Sequence, residues 1–452
     1  MDYAKKICAL CLFAFSCMGF AEQQIAAGSK TAYHFDSKYT YTPAPDGYDA
    51  FYIDHVGRHG SRYISKSKYE DIAYQTLLIA ENKGQLTHLG KDLLDQISRI
   101  TQLNKGHYGA LTDLGRQNIR LISQRMLNNY PSVFKGQKIE VISSSSPRAK
   151  ETANIFVEAF HSKYPQINVT QQQEDQQTLL RFFEYSPAYE EFKQSKKVKN
   201  AVKLIENMPD SWEMGYHFLH RIFSDEFIQK HLDKGLEINE NSSIKSMDFV
   251  IAVYQLYQEL PAFSPQLLAE NHVDLNSFFH EDEKTQFNNI VTVKNYLQIG
   301  PAFDANGIQI KIAAPLLWDM LNTADFAIKN NNIDANLRFA HAETVSPLAT
   351  LLEIEGTATV ANPIVQYPLV WQADKIIPMM ANIQWIFYKS KKVDQPILVK
   401  ILLNEQEVHL PVKTEHYPYY YWEDVKQYYL TKLNKLGLSP QASAIDMLKN
   451  LR

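Results

Sequence analysis

Cysteine is almost missing from this sequence. Its 452 residues include only 3, Cys8, Cys11 and Cys17, all in the opening segment. The rest of the chain therefore has no thiol for a cysteine nucleophile, a zinc–thiolate centre or an iron–sulfur cluster. Long apolar runs are scarce too. Only Ile7 to Phe20 comes near one, and it falls short of the ~20 residues that span a bilayer. Neither sign of charge dominates: 46 Lys and Arg against 50 Asp and Glu leave a formal −4, which gives no bulk pull toward nucleic acid or an anionic membrane. An anionic ligand must then be met by a local cluster of cations. There is no internal repeat, low-complexity tract or long Gly/Ser linker, so boundaries have to be sought in shifts of pattern.

The opening segment does have Lys5 and Lys6, then the apolar Ile7 to Phe20, then the small residues Gly19 and Ala21, the order of a secretory signal. Residues 1–21 are expected to be a signal peptide, and the mature chain to be secreted or periplasmic with no membrane association. Lipidation at Cys17, giving an outer-membrane lipoprotein, is the alternative, but Ala14-Phe15-Ser16 matches the usual lipidation signal poorly.

Three stretches read as buried strands: "AFYIDHV" (50–56), "KIEVISS" (138–144) and "NLRFAHA" (336–342). Each runs straight into polar residues able to do chemistry. Helical stripes separate them: Leu89, Leu93, Ile97, Ile100 and Leu103; Ile119, Ile122 and Met126 behind a Thr112 cap; and Ala149, Ala153, Phe156, Val157 and Phe160. The alternation predicts an α/β fold with a mixed, mostly parallel central sheet flanked by helices. Ligands of such sheets bind beyond the carboxyl ends of the strands, where "GRHGSR", "SSSSPR" and "HAE" would lie. From 166 to 300 the texture turns aromatic-rich and helical, with Ile244, Met247, Ile251 and Tyr254 in one stripe. That region is either another layer of the same fold or an inserted helical cap over the strand ends. The expected division is 22–165 for the first part of the core, 166–300 for the cap and 301–452 for the second part. Late in the chain, "IQWIFYKS" and "PILVKILLNEQEVHLPV" read as antiparallel strands with a turn at Asn404-Glu405. The Tyr-rich "HYPYYYWEDVKQYYL" reads as a helix approach packed on the core or an exposed edge.

In "RHGSR" (58–62), Arg58 and Arg62 flank His59 on a turn that Gly57 and Gly60 would permit. Guanidinium forks match phosphate oxygens, and an imidazole between two of them is held neutral, with a free lone pair. Arginines repel a divalent cation, so a metal-binding role for His59 is disfavoured and nucleophilic attack on phosphorus, through a phosphohistidine, is favoured. Taken alone the pentapeptide also fits a structural turn with solvated basic residues. Arg148, at the start of a helix after a strand, and His341 with Glu343, after another, bring complementary groups to the same sheet edge. Glu343 could protonate a leaving alkoxide and then activate water, or form a salt bridge to one of the arginines. His55 is read as a packed strand residue.

"RHGSR", "LTDLGRQ" (111–117), "SSSSPRAKETA" and "HAE" together resemble the histidine acid phosphatases, the larger branch of the histidine phosphatases. "HAE" where the usual member has His-Asp is similar to the multiple inositol-polyphosphate phosphatases, which include bacterial phytases. The resemblance implies an α/β core with an inserted, mainly helical domain, His59 as nucleophile, Arg58, Arg62, Arg148 and His341 as phosphate clamp, and Glu343 as proton donor. It implies no metal or other cofactor. Tyr63-Ile64 stands where many members have a proline after the arginine, and the disulfides common in the family are absent.

Lys66 and Lys68 could line the pocket mouth and meet further phosphates, or lie on a solvated surface; Lys294 and Lys311 are further candidates. The expected partner is a small anionic substrate, inositol hexakisphosphate or another phosphate monoester, with no nucleic acid and no obligate protein partner. A broad-specificity acid phosphatase, a phosphoryl mutase using the same phosphohistidine, and a non-catalytic anion-binding protein are the other readings.

Overall fold

The computed structural model describes residues 27–136, 138–165, 168–171, 176–239, 242–438 and 443–452; the expected signal peptide lies outside them. Strand β1 (Tyr48–Arg58) buries every residue from Ala50 onward, which a strand can do only with layers packed on both its faces. The others are β2 (Lys138–Ser143), β3 (Asn168–Gln171), β4 (Leu236–Asn239), β5 (Ser242–Ile244), β6 (Ile333–Ala340), β7 (Asn382–Ser390), β8 (Leu398–Leu403), β9 (Gln406–Glu407) and β10 (Tyr419–Tyr421). The main sheet runs β10-β8-β7-β1-β6-β2-β3, with β9 paired to β8. From β1 to β3 the pairings are parallel, and from β1 through β7 and β8 to β10 they are antiparallel. This is the expected mixed α/β sheet, with β1 at the change of direction. β8 and β9 join through Asn404-Glu405, both at positive φ (52° and 62°), as a two-residue hairpin turn requires.

Alternate side chains of the sheet feed two cores. Ile53, Leu337, Phe339 and Ile386 pack with Ile119, Ile122, Phe156 and Phe160 of the helices Asp113–Asn129 and Pro147–Lys163. Thr112 caps the first of these, accepting from Gly115 N, and the two helices carry the apolar stripes read from sequence. Tyr52, Val56, Trp385 and Phe387 face the larger core. That core takes in helices Lys68–Asn82 and His88–Asn104, the helical stretch from 177 to 299, and helices Ala314–Asn330, Ala342–Leu351 and Trp422–Lys435. In the helical stretch one expectation needs correcting: Ile244 ends the small hairpin β4–β5, and the helix begins only at Ser246. In the Tyr-rich segment, Tyr419, Tyr420, Trp422 and Tyr429 are buried while Tyr417 and Tyr421 stay exposed. Among the described residues no helix is long and apolar enough to cross a membrane.

Candidate active site

β1, β6 and β2 end level with one another, Arg58 opposite Ala340 and Ser143 opposite Phe339. The residues that follow are thereby brought together. His59 N donates to Ala340 O (3.0 Å), its carbonyl accepts from Met380 N (3.1 Å), and Ser144 N donates to Phe339 O (2.9 Å). The glycines act differently from the sequence expectation. Gly57 lies within β1, where a Cβ would stand 2.6 Å from the His55 ring, and neither Gly57 nor Gly60 has a positive φ. What they supply is room for close approach. The "LTDLGRQ" segment is seated on this loop: Thr112 N donates to Ser61 O (3.0 Å), and a Cβ at Gly115 would run into the Ser61 backbone. Tyr63 donates its N–H to Ala110 O (2.9 Å), which a proline could not do.

His59 is buried, with Nδ1 2.9 Å from the carbonyl oxygen of Gly60. A carbonyl only accepts, so Nδ1 carries the proton and Nε2 the lone pair. Burial first, then the charges of Arg58, Arg148, Arg62 and His341, hold its pKa well below the usual value. Burial and the arginines thus favour the neutral imidazole, and a neutral imidazole with a free Nε2 can act as a nucleophile.

The arginines are anchored at one end and open at the other. Arg58 Nη1 donates to the carbonyls of Ser29 and Ile377, the latter at 2.6 Å. Arg62 Nη1 donates to Tyr63 O (2.9 Å). Arg148 begins the helix Pro147–Lys163, and that helix is tied to the loop through Thr152, which accepts from Gly60 N (3.2 Å) and donates to Arg148 O (2.7 Å). The Nε–H groups of Arg58, Arg62 and Arg148 are buried and have no acceptor among the described residues. Burial and mutual repulsion lower Arg58 to about 9, so it stays charged at neutral pH. An oxyanion with several acceptor oxygens answers this donor set.

His341 caps the helix Ala342–Leu351, its ring 5.6 Å from that of His59, centroid to centroid. Sequence reasoning missed Arg181. Its Nη1 donates to His341 Nε2 (3.1 Å), the same nitrogen that lies 2.8 Å from Ser144 Oγ. Nε2 is therefore the acceptor and Nδ1–H remains to donate outward. Burial, Arg148 and Arg181 push His341 down to about 3. Arg181 is brought there by its segment: Gln177 accepts from Ser145 N (2.8 Å), and Thr344 donates to Leu180 O (2.7 Å). In sequence it shows only a surface-like i,i+3 pair with Glu184.

Glu343, in the first turn of its helix, is exposed and forms no ion pair within 4.0 Å among the described residues, so the alternative of a salt bridge to an arginine does not hold. It lines a cleft of about 500 Å³ with Phe183, Tyr189, Lys193, Lys294 and Gln298. Lys294 thus lines the same cleft as Glu343. Lys311 lies elsewhere, Nζ 3.4 Å from Arg452 O. Lys66 and Lys68 are exposed, with Lys68 Nζ 5.8 Å from the centre of the Tyr69 ring. His55 packs between Phe156 and Phe339, its ring nitrogens unpartnered and its pKa lowered by burial to about 3. On the opposite face Arg338 bonds Asp54 and, at 2.7 Å, Asp319 beneath the strand ends. No group of three or more His, Cys, Asp or Glu among the described residues is arranged to hold a metal ion.

An α/β sheet whose parallel strand ends present two uncharged imidazoles, His59 and His341, among converging guanidiniums has the donor set that suits an oxyanion. The model of the histidine phosphatase superfamily, branch 2, matches residues 53–404, and the chain belongs to that family. Among solved structures it is similar to the Bifidobacterium longum multiple inositol polyphosphate phosphatase in complex with inositol hexasulfate: TM-score 0.79 and 24% identity, covering 90% of this chain and 97% of that one. The same bacterial protein with phosphate gives 0.79 and 22%, with the same coverage. The phytase of D. castellii gives 0.62 and 15%, covering 92% of this chain and 88% of its own. At these identities the likeness is one of fold. No curated protein matches.

Proposed function

We propose that this chain is an exported phosphomonoesterase that hydrolyses inositol polyphosphates, inositol hexakisphosphate among them, through a phosphohistidine on His59. The observation that carries the reading is the forced tautomer of His59: Nδ1–H is committed to the Gly60 carbonyl, and Nε2 is left free among arginines whose Nε–H groups lack a protein acceptor. Nε2 attacks phosphorus as the ester P–O bond breaks, and the Glu343 carboxyl gives its proton to the departing alkoxide. Water then attacks the phosphorus, the carboxylate takes its proton, the N–P bond breaks, and phosphate leaves with His59 and Glu343 restored. Arg58, Arg62, Arg148, Arg181 and the Nδ1–H of His341 balance the charge of the equatorial oxygens.

The polyphosphate part of the reading is supported by Lys193 and Lys294 in the cleft beside Glu343, where a ring carrying several phosphates would rest its outer groups. The helical residues that supply this cleft act, in this reading, as the cap over the strand ends. The test is phosphate release from inositol hexakisphosphate and from a simple monoester, with and without a chelator. The expectation is preferential release from the polyphosphate, loss of it in His59→Ala, and a higher KM for the polyphosphate alone in Lys294→Met. Full activity in His59→Ala would end the mechanism, and preference for the monoester would end the substrate assignment.

A further inference from the structure

Glu259 ends the helix Ser246–Glu259 with its side chain buried to 4% exposure. One oxygen, Oε1, is 2.7 Å from Lys30 Nζ; the other, Oε2, has no hydrogen-bond partner among the described residues and faces Arg62 Nη1 at 3.9 Å. Lys30 is fixed from the same helix, donating to Gln255 Oε1 at 2.6 Å. An isolated carboxylate would not stay ionised at such depth. Burial alone would raise Glu259, but Lys30 and Arg62 outweigh it and hold it below the usual range. The 3.9 Å separation is too long for a hydrogen bond, so the carboxylate acts on Arg62 by charge.

The segment that brings Lys30 is shaped for this place. Gly28–Lys30 is a single 3₁₀ turn. Gly28 has φ +55°, and any Cβ there would run into Thr292. The next residue, Ser29, offers its carbonyl to Arg58, and Lys30 grips Glu259. Adjacent residues of one turn therefore reach two arginines of the site, one directly and one through a carboxylate.

We propose that Glu259, held by Lys30, is a positioning residue for Arg62: it fixes the guanidinium and supplies the counter-charge that lets Arg58, Arg62 and Arg148 gather around a neutral imidazole. The inference rests on the phosphatase reading above for its kinetic consequence and on geometry for the rest. Glu259→Gln keeps the shape and removes the charge. It should lower kcat by about tenfold or more, while inorganic phosphate binds more tightly than to the wild type, because a competing anion has gone. A merely structural role would lower the melting temperature and weaken both. In an Arg62→Ala background the same substitution should change neither kcat nor phosphate affinity by more than about twofold, since coupled residues are non-additive.

Unchanged kcat in Glu259→Gln, or an equal loss with and without Arg62, would overturn the proposal. The phosphate arm, read by calorimetry, does not need turnover. If the wild type released no phosphate, the phosphatase reading alone would fall, and an effect of Glu259→Gln on phosphate affinity that disappears without Arg62 would still support the coupling. Identical affinities in all four proteins would sink it.

Discussion

His55 offers a stability test whose sign follows from the burial of its ring. Its ring is fully buried with unpartnered nitrogens, and burial pushes its pKa down to about 3 from the ordinary 6.5. Below pH 6.5 the unfolded chain binds a proton at this residue that the folded chain refuses, so the folded state loses stability as pH falls, and the loss saturates only near pH 3. At pH 5 the difference is 1.5 units at about 1.4 kcal/mol each, or about 2 kcal/mol. Leucine takes no proton. His55→Leu should therefore be about 2 kcal/mol better, relative to wild type, at pH 5 than at pH 7.5, whatever its packing effect at the higher pH. Asp54 and Glu70, whose buried carboxyls are raised to about 6 and about 7, act with the opposite sign but are present in both proteins and cancel. Urea denaturation followed by tryptophan fluorescence at pH 7.5, 6 and 5 gives the double difference. The same difference in stability at all three pH values would refute the reasoning.

Other substitutions bear on the site itself. Arg181→Ala removes the charged donor to His341 and should raise KM for phosphate esters about tenfold; an unchanged KM in steady-state kinetics would remove Arg181 from the binding set. Glu343→Gln should lower kcat by about 10²–10⁴ on alkyl phosphates and far less on p-nitrophenyl phosphate, whose leaving group needs no proton; equal losses on both would argue against Glu343 as the acid. Gly115→Ala presses a methyl group into the backbone of Ser61 and should destabilise by about 1–3 kcal/mol, lowering the melting temperature along with kcat; a variant that melts and turns over like the wild type would show that the loop yields.

The parts of this site that could be read from the chain are those the sheet itself delivers. A buried strand gives a run of apolar residues, and the first polar residues beyond it mark the strand end, so His59, Arg148 and His341 announce themselves in three places. Thr112 was legible as a cap because capping needs a hydroxyl just before a helical stripe, and Asn404-Glu405 as a turn because it interrupts two apolar runs. Arg181, Lys30 and Glu259 arrive through tertiary contacts, from a short helix, a 3₁₀ turn and the end of a long helix, and nothing in their neighbours distinguishes them from surface charges. Gly57 and Gly60 were visible, but their reason was not: a sequence shows that a side chain is absent, while only packing shows whether that serves rotation about φ or the passage of another group.

β1 lies between a parallel and an antiparallel neighbour, and its last residue and the one after it are stitched to the end of β6 and to the segment leading into β7: Arg58 N–H to Ala381 O, His59 N–H to Ala340 O, and His59 O to Met380 N–H. Backbone held on both sides in a central strand belongs to the part of a protein that exchanges its amide hydrogens through global opening rather than local fraying. His59, the nucleophile in the proposed mechanism, is therefore expected to come loose only when the sheet itself opens. Loss of turnover on heating should track loss of the whole fold, and residual activity can serve as a count of intact molecules.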